Sequence, residues 1–174
     1  RRRPGHLSYG SAGSGTTMHL RIEILKQKAG VDILHVPYRG GADALVDVLA
    51  GVTSSMNEPT TLPHVKAGKL HAIGLAGPRS PLAPDVRSLM ESGVRMTPLE
   101  VWVALVAPSV LSKAAQERLA HDVPALLKDA DVRQRMLAAG WDPVGSSGAV
   151  LAARVRDETQ LFGDIITTRS IKLE

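Results

Sequence analysis

Short strands and amphipathic helices alternate along the first 76 residues, and this alternation constrains the fold more than any other feature. The pattern predicts strands at 6–10, 31–36 and 70–76, with helices at 18–29 and 42–50. The first helix carries its apolar face on Met18, Ile22, Leu25 and Ala29. Helices that connect successive strands produce a largely parallel sheet, so an α/β architecture is expected.

The chain changes character near residue 100. Residues 100–107 form the most hydrophobic predicted strand, which Pro108 stops. Three helices are then predicted in succession, at 112–128, 131–139 and 147–168. We therefore expect two structural regions, one at 6–99 and one at 100–174.

Composition excludes several classes of protein. The chain has 174 residues, of which 44% are hydrophobic, so it is too apolar for a disordered chain. It has no Cys, and therefore no disulfide, thiol nucleophile or thiolate metal site. The six His show no metal-binding spacing. No apolar run approaches the roughly 20 residues of a membrane span, so direct membrane insertion is not expected.

The charge pattern argues against nucleic acid as a partner. The net charge is +4, but three of the positive charges are Arg1, Arg2 and Arg3. The other Lys and Arg residues are spread among acidic ones, and aromatics make up only 3% of the chain. A nucleic-acid interface clusters its basic residues and interleaves aromatics with them.

A loop rich in Gly, Ser and Thr, residues 10–17, joins the first strand to the first helix. Unpaired amides at a helix N-terminus and the partial positive charge of the helix attract a carboxylate or phosphate. The alternative is that Ser14 or Thr16 only caps the helix. Gly15 is followed by Thr16 rather than Lys, which excludes a P-loop. Met18 breaks a dinucleotide fingerprint, and Tyr9 excludes a nucleophile elbow.

The turn at residues 37–41 is a second candidate contact. It follows a predicted parallel strand, and ligands of α/β sheets bind beyond the carboxyl ends of such strands. Gly40 allows close backbone approach, and Tyr38 offers a hydroxyl donor. A plain strand-to-helix turn remains the alternative. His19 and His35 are expected to pack structurally or to satisfy loop backbone.

Several stretches resemble one family in the same order along the chain. They are Tyr9–Leu20, Val31–Gly40, Leu62–Leu70, Arg79–Pro81 with Pro84–Val86, Trp102 with Ala107–Pro108, and Gly140 with Ile171–Lys172. The family is the tripartite tricarboxylate transporter substrate-binding proteins, also called Bug-type receptors. The resemblance covers nearly the whole chain.

The resemblance implies a type II periplasmic-binding-protein fold, with two α/β lobes around a cleft. It implies capture of a small carboxylate (a di- or tricarboxylate, an acidic amino acid or an aromatic acid), which passes to membrane transporter subunits. It implies neither an enzyme nor a cofactor. The expected ligand-binding residues are Ser11, Ala12, Gly13, Ser14, Gly15, Thr16, Thr17, Tyr38, Gly40 and Asn57.

Family members are longer and carry a secretion signal, so this chain is expected to be N-terminally truncated, with impaired binding. Residues 1–5 are then a disordered basic stub, 6–99 are lobe two, and 100–174 are the C-terminal part of lobe one. Residues 51–58 are more polar than the family pattern. The family is periplasmic, whereas a chain without a signal peptide stays cytoplasmic if expressed as given.

Two other functions remain open from the sequence. One is an effector-sensing domain of a regulator, because related two-lobed folds serve that role. The other is an acyl- or phosphoryl-transfer enzyme that uses the Ser/Gly loop, although the sequence offers no convincing base for it.

Overall fold

A computed structural model describes residues 5–96 and 99–172. The helices and strands of this part follow in the order β1 (Ser8–Ser11), α1 (Thr17–Ala29), β2 (Leu34–Pro37), α2 (Gly41–Leu49), β3 (Ser55–Met56), a 3-10 turn (Pro59–Thr61), α3 (Leu62–Lys66), α4 (Lys113–Leu126), α5 (Ala130–Ala138) and α6 (Gly148–Thr168). Four residues of the predicted basic stub, 1–4, lie outside the described residues.

The three strands form a parallel sheet in the order β2-β1-β3. Tyr9 and Gly10 of the central strand point to opposite faces, as successive strand residues do. The Tyr9 hydroxyl donates to Glu23 of α1, whereas a Cβ at Gly10 would lie 3.1 Å from Ala44 of α2. Helices α1 and α2 therefore cover opposite faces of the sheet, which confirms the predicted α/β arrangement for this part of the chain.

The chain divides into two compact units. One holds the residues up to Glu100 together with those from Leu161 onward, and the other is Val101–Gln160. The core of the first unit is a buried cluster of Leu20, Ile24, Met96, Leu99 and Ile165. The change at Glu100 falls at the predicted boundary, but the C-terminal residues group with the first unit. The assignment of 6–99 and 100–174 to two lobes stays a prediction.

The second unit is built from α4, α5 and the first part of α6. Ser112 caps α4, as predicted, by accepting a hydrogen bond from Ala115 N at 3.3 Å. Pro124 lies in the last turn of α4, which ends two residues later at Leu126. Trp102 Nε1 donates to Glu158 Oε2 at 2.9 Å, which ties the start of this unit to α6.

Two predicted strands are wrong. In 70–76 the structure has only an isolated bridge between Leu75 and Ser88. Residues 100–107 are not assigned to a strand, and Val103 and Val106 are 75% and 80% exposed. A strand exists only where a neighbour exchanges backbone hydrogen bonds with it. Among the described residues, such bonds in 70–76 are limited to Leu75, which pairs with Arg87 and Leu89, and to Ala76, which accepts from Leu99 N, so no ladder forms. Residues 101–107 have no backbone hydrogen bond to a neighbouring segment within the described part of the chain.

Candidate functional site

The carboxyl ends of the three parallel strands meet at one edge of the sheet. There β1 ends at Ser11, β2 at Pro37 and β3 at Met56. The ten predicted binding residues all close or follow one of these strands: Ser11 to Thr17 after β1, Tyr38 and Gly40 after β2, and Asn57 after β3. The topology therefore brings all of them to the edge where ligands of α/β sheets bind.

The loop after β1 is a tight turn that Thr16 joins to α1. Gly13 and Gly15 have φ angles of 118° and 78°, in the region that favours glycine. The Thr16 hydroxyl donates to Gly13 O at 2.8 Å and accepts from His19 N at 3.5 Å. Capping by Thr16, the plainer interpretation of this loop, is therefore present in the structure.

Several amides of the same loop are nevertheless open. The amides of Ser14, Thr17 and Met18 have no hydrogen-bond partner within the described part of the chain. By contrast, Gly13 N donates to Ser11 Oγ and Gly15 N donates to His19 Nδ1. The open amides lie at the N-terminus of α1, where the helix dipole adds a partial positive charge.

The hydroxyls of the loop are not equally available. Ser11 is fully buried, and its hydroxyl donates to Gly13 O and lies 2.6 Å from His35 Nε2. The Ser14 and Thr17 hydroxyls make no hydrogen bond with the described residues. Ser14 and Thr17 are therefore better placed than Ser11 to meet a ligand with their side chains.

The turn after β2 is tied to its surroundings. Tyr38 N donates to Ser11 O at 2.9 Å, and the Tyr38 hydroxyl donates to Asp47 Oδ2 at 2.7 Å. The bond to Asp47 raises the pKa of Tyr38. Gly40 is the N-cap of α2, and a Cβ built on it would meet nothing within 4 Å. The Tyr38 hydroxyl is thus engaged by α2, while Gly40 leaves open space beside the backbone.

Sequence reasoning missed Glu58 at this edge. It follows Asn57, the predicted residue beyond β3, and both are half-buried. A Cβ at Gly41 would lie 3.8 Å from Glu58 Oε2 and 3.8 Å from Met18 Sδ. Burial raises the pKa of Glu58, and the positive charge of Arg21 partly offsets this. Its place directly after Asn57 was the available sequence signal.

Three aromatic rings stack beneath the loop. The His19 and His35 ring centroids are 3.8 Å apart with an angle of 8° between the planes, and Tyr9 stacks on His35 at 4.9 Å. Burial lowers the pKa of His35 to about 4, and it also lowers the pKa of His19. The expectation that His19 and His35 pack structurally or satisfy loop backbone is confirmed.

A buried carboxylate lies next to this stack. Glu23 accepts from the Tyr9 hydroxyl at 2.8 Å, from Lys26 Nζ at 2.6 Å and from Arg169 Nε at 3.0 Å. Burial by itself would raise the pKa of Glu23, but the hydrogen bonds from Lys26, Tyr9 and Arg169 outweigh it and the pKa is lowered. The spacing of His19, Glu23 and Lys26 at i, i+4 and i+7 was the only sequence signal for this cluster.

The arrangement can hold an anion with backbone dipoles. The loop itself, residues 11–17, contains no Lys or Arg. A carboxylate at this edge would meet open amides and the Ser14 and Thr17 hydroxyls rather than a charged side chain.

The chain is similar to a family of transport receptors along almost its whole length. The family described as "Tripartite tricarboxylate transporter family receptor" matches residues 1–171. A protein encoded in the tcbD-tcbE intergenic region of Pseudomonas sp. (strain P51) is 31% identical over 170 residues, which are 95% of this chain. The chain spans 51% of that relative's length.

Solved structures show the same fold. A protein described as a periplasmic transporter matches with a TM-score of 0.82 and 30% identity, over 99% of this chain and 59% of that one. An R. palustris protein with adipate matches with a TM-score of 0.80 and 27% identity, over 98% and 58% of the two chains. The periplasmic-binding-protein type of α/β fold is thus confirmed. The chain belongs to the tripartite tricarboxylate transporter receptor family, as the resemblance of its sequence blocks predicted.

Proposed function

We propose that this chain is part of an extracytoplasmic receptor that binds a small carboxylate for a tripartite tricarboxylate transporter. One observation carries the proposal: the open amides of Ser14, Thr17 and Met18 stand at the N-terminus of α1, at the carboxyl edge of a parallel sheet. Membership in a receptor family supports binding and transfer rather than catalysis. Its partners are then the ligand and the membrane subunits of the transporter.

We propose a dicarboxylate as the ligand, because the R. palustris relative of known structure was solved with adipate. One carboxylate would accept hydrogen bonds from the loop after β1. Each such charge-assisted bond contributes about 1.5–3 kcal/mol. Gly40 and Asn57, which follow the neighbouring strands, would contact the ligand from the same edge.

In the periplasm the protein would act as a carrier between the outer solution and the transporter. Within residues 5–96 and 99–172, no helix has the length and apolar character to cross a membrane. The 174 residues alone should bind carboxylates more weakly than a full-length relative, because they span about half of such a chain.

Paired substitutions at Gly15 test the site. Gly15→Asp and Gly15→Asn introduce side chains of equal size at the same positive φ, which Asn and Asp tolerate better than other residues. Only Asp adds a negative charge beside the open amides. We expect the dissociation constant for succinate to rise more than about tenfold in Gly15→Asp relative to Gly15→Asn.

Amide NMR of the 174-residue chain, titrated with succinate, adipate and malate up to millimolar concentration, detects even weak binding. The shifts should concentrate on Ser14, Thr17 and Met18. Equal affinities in the Asp and Asn variants, or shifts confined to other residues, would show that the ligand does not bind at this loop.

A further inference from the structure

His19 and Ser11 hold the glycine peptides of the loop, and His35 in turn contacts Ser11. Gly15 N donates to His19 Nδ1 at 3.0 Å. Gly13 N donates to Ser11 Oγ, which lies 2.6 Å from His35 Nε2. The two peptides with positive φ are therefore fixed by side chains that a helix and a strand present to the loop.

The contact from Gly15 defines the protonation state of His19. An amide that donates to Nδ1 requires a lone pair on that nitrogen, so the ring hydrogen is on Nε2. Nε2 lies 4.0 Å from Glu23 Oε1. An imidazolium carries hydrogen on both nitrogens and cannot accept the Gly15 amide. The observed loop contact exists only with neutral His19.

The surroundings of His19 favour the neutral form. The side chain is 7% exposed, and its ring lies nearly parallel to that of His35 at 3.8 Å. The other charged or titratable groups that face it are Tyr9 of β1 and Glu23 and Lys26 of α1.

Glu23 attracts a positive charge on His19, but burial of the ring outweighs this attraction and the pKa of His19 is lowered. The two oxygens of Glu23 already accept from Tyr9, Lys26 and Arg169. A proton on either imidazole would place a charge against the ring of the other, in a site that burial keeps away from water.

We propose that His19 is a positioning residue of the ligand loop: its neutral imidazole fixes the Gly15 peptide, which keeps the amides of Ser14, Thr17 and Met18 directed to the sheet edge, and its protonation releases the loop. The role in ligand affinity rests on the function proposed above. The role in loop geometry does not, because it concerns the contact between Gly15 and His19 alone.

Two substitutions separate the acceptor from the charge. In His19→Asn, Oδ1 takes the place of Nδ1 and can accept the Gly15 amide, but the side chain does not titrate. In His19→Leu, a side chain of similar size fills the site without an acceptor. His121→Asn serves as a matched control, since that side chain is 84% exposed on α4.

The first readout needs no ligand. The Gly15 amide proton shift is followed by NMR from pH 7.5 to pH 4 in the 174-residue chain. We expect one titration step below pH 6.5 in the unsubstituted chain and in His121→Asn that is absent from His19→Asn, whereas a step near pH 4 that persists in His19→Asn belongs to His35. A flat Gly15 profile in the unsubstituted chain would overturn the proposal.

The second readout is the affinity for succinate at pH 7.5 and at lower pH. We expect His19→Leu to weaken binding about tenfold and His19→Asn to stay within about twofold. The unsubstituted chain should lose affinity in acid faster than His19→Asn, which keeps a hydrogen-bond acceptor at position 19 but has no side chain there that titrates. If binding is present but all variants share one profile, His19 does not position the loop for ligand. If no succinate binds, the receptor proposal fails, while the Gly15 profile still decides the role of His19 in the loop.

Discussion

The buried carboxylate of Glu23 connects three segments of the fold through hydrogen bonds. The carboxylate accepts from β1 through Tyr9, from α1 through Lys26, and from the segment after α6 through Arg169. Its side chain is 6% exposed and that of Lys26 is 8% exposed, so neither charge has much water to stabilise it. Such a pair is costly to break, because the remaining charge stays buried.

Glu23→Gln should therefore destabilise the chain. It keeps the shape of the side chain and leaves Lys26 without its buried counter-charge, at a cost of about 3 kcal/mol. Urea unfolding measures the change. Glu117→Gln is the control, since Lys113 and Glu117 form an ion pair whose side chains are 91% and 69% exposed. That control should leave stability unchanged. Equal effects of the two substitutions would mean that the Glu23 cluster does not support the fold.

At the scale of elements, the contact between β1 and α2 depends on a missing side chain. A Cβ on Gly10 would lie 3.1 Å from Ala44 Cβ and 3.2 Å from the Tyr38 ring. Both distances are tighter than ordinary van der Waals contact. Helix α2 can approach the central strand closely because position 10 has no side chain.

Gly10→Ala should push α2 from the sheet and destabilise the chain by about 1–3 kcal/mol. Gly40→Ala is the control: its φ of −170° is extended backbone, and a Cβ there meets nothing within 4 Å. Urea midpoints compare the two variants. A Gly10→Ala urea midpoint equal to that of Gly40→Ala would show that the close approach of α2 to β1 does not contribute to stability.

Sequence reasoning recovered the elements whose signals are local. The β1–loop–α1 unit, α2, the Gly30 cap of α1 with its φ of 60° and the Ser112 cap all follow from residues next to each other in the chain. It failed at 70–76 and 100–107, because an apolar pattern shows that a segment could pair but not that a partner strand lies beside it.

The sequence predicted where the site lies, but not which buried residues of α1 pack around it. Strand ends located the loop residues at one edge of the sheet. The apolar face predicted for α1 was wrong in part: Met18 is buried, but Ile22 and Leu25 are only half-buried, whereas Glu23 and Lys26 are buried. The reason is that α1 packs on β1 through Glu23 and on the apolar core through Leu20 and Ile24. A single amphipathic stripe does not describe a helix buried on two sides.

Across the whole molecule, stability should depend on pH through the half-buried His35. The folded chain keeps His35 neutral down to about pH 4, whereas the unfolded chain takes up the proton near pH 6.5. The stabilisation that neutral His35 gives the folded chain is therefore complete above pH 6.5 and is lost as the pH falls toward 4. We expect a loss on the order of 1–2 kcal/mol, discounted for partial solvent screening. His35→Gln, followed by urea unfolding at several pH values, should be less sensitive in this window. If the free energy of unfolding falls equally with pH in the unsubstituted chain and in His35→Gln, His35 is not the source of this pH dependence.

The exposed apolar residues of the second unit predict modest stability for the 174-residue chain. Val103 and Leu105 are 75% and 70% exposed, and Val110 is 90% exposed. A few hundred Å² of apolar surface left in water forgoes several kcal/mol, which is comparable to the net stability of a domain. Thermal unfolding with titration of succinate, citrate, glutamate and benzoate tests this. A cooperative transition above about 60 °C together with micromolar binding would show that the chain is self-sufficient.

The central position of β1 has a consequence for how the protein is made. Tyr9 pairs with His35 on one side and with Ser55 on the other. Strand β1 therefore cannot complete its pairing until both β2 and β3 have been synthesised. A ribosome must deliver residues through Met56 before the edge that carries the loop has all three strand ends. Until then the buried Tyr9 and Ser11 of the finished sheet remain open to water and to chaperones. Completing such non-local pairs is slow, because the intervening chain must first be brought into order. The loop that would hold the ligand is thus synthesised before β2 and β3, yet it reaches its final position only after β3 has joined the sheet.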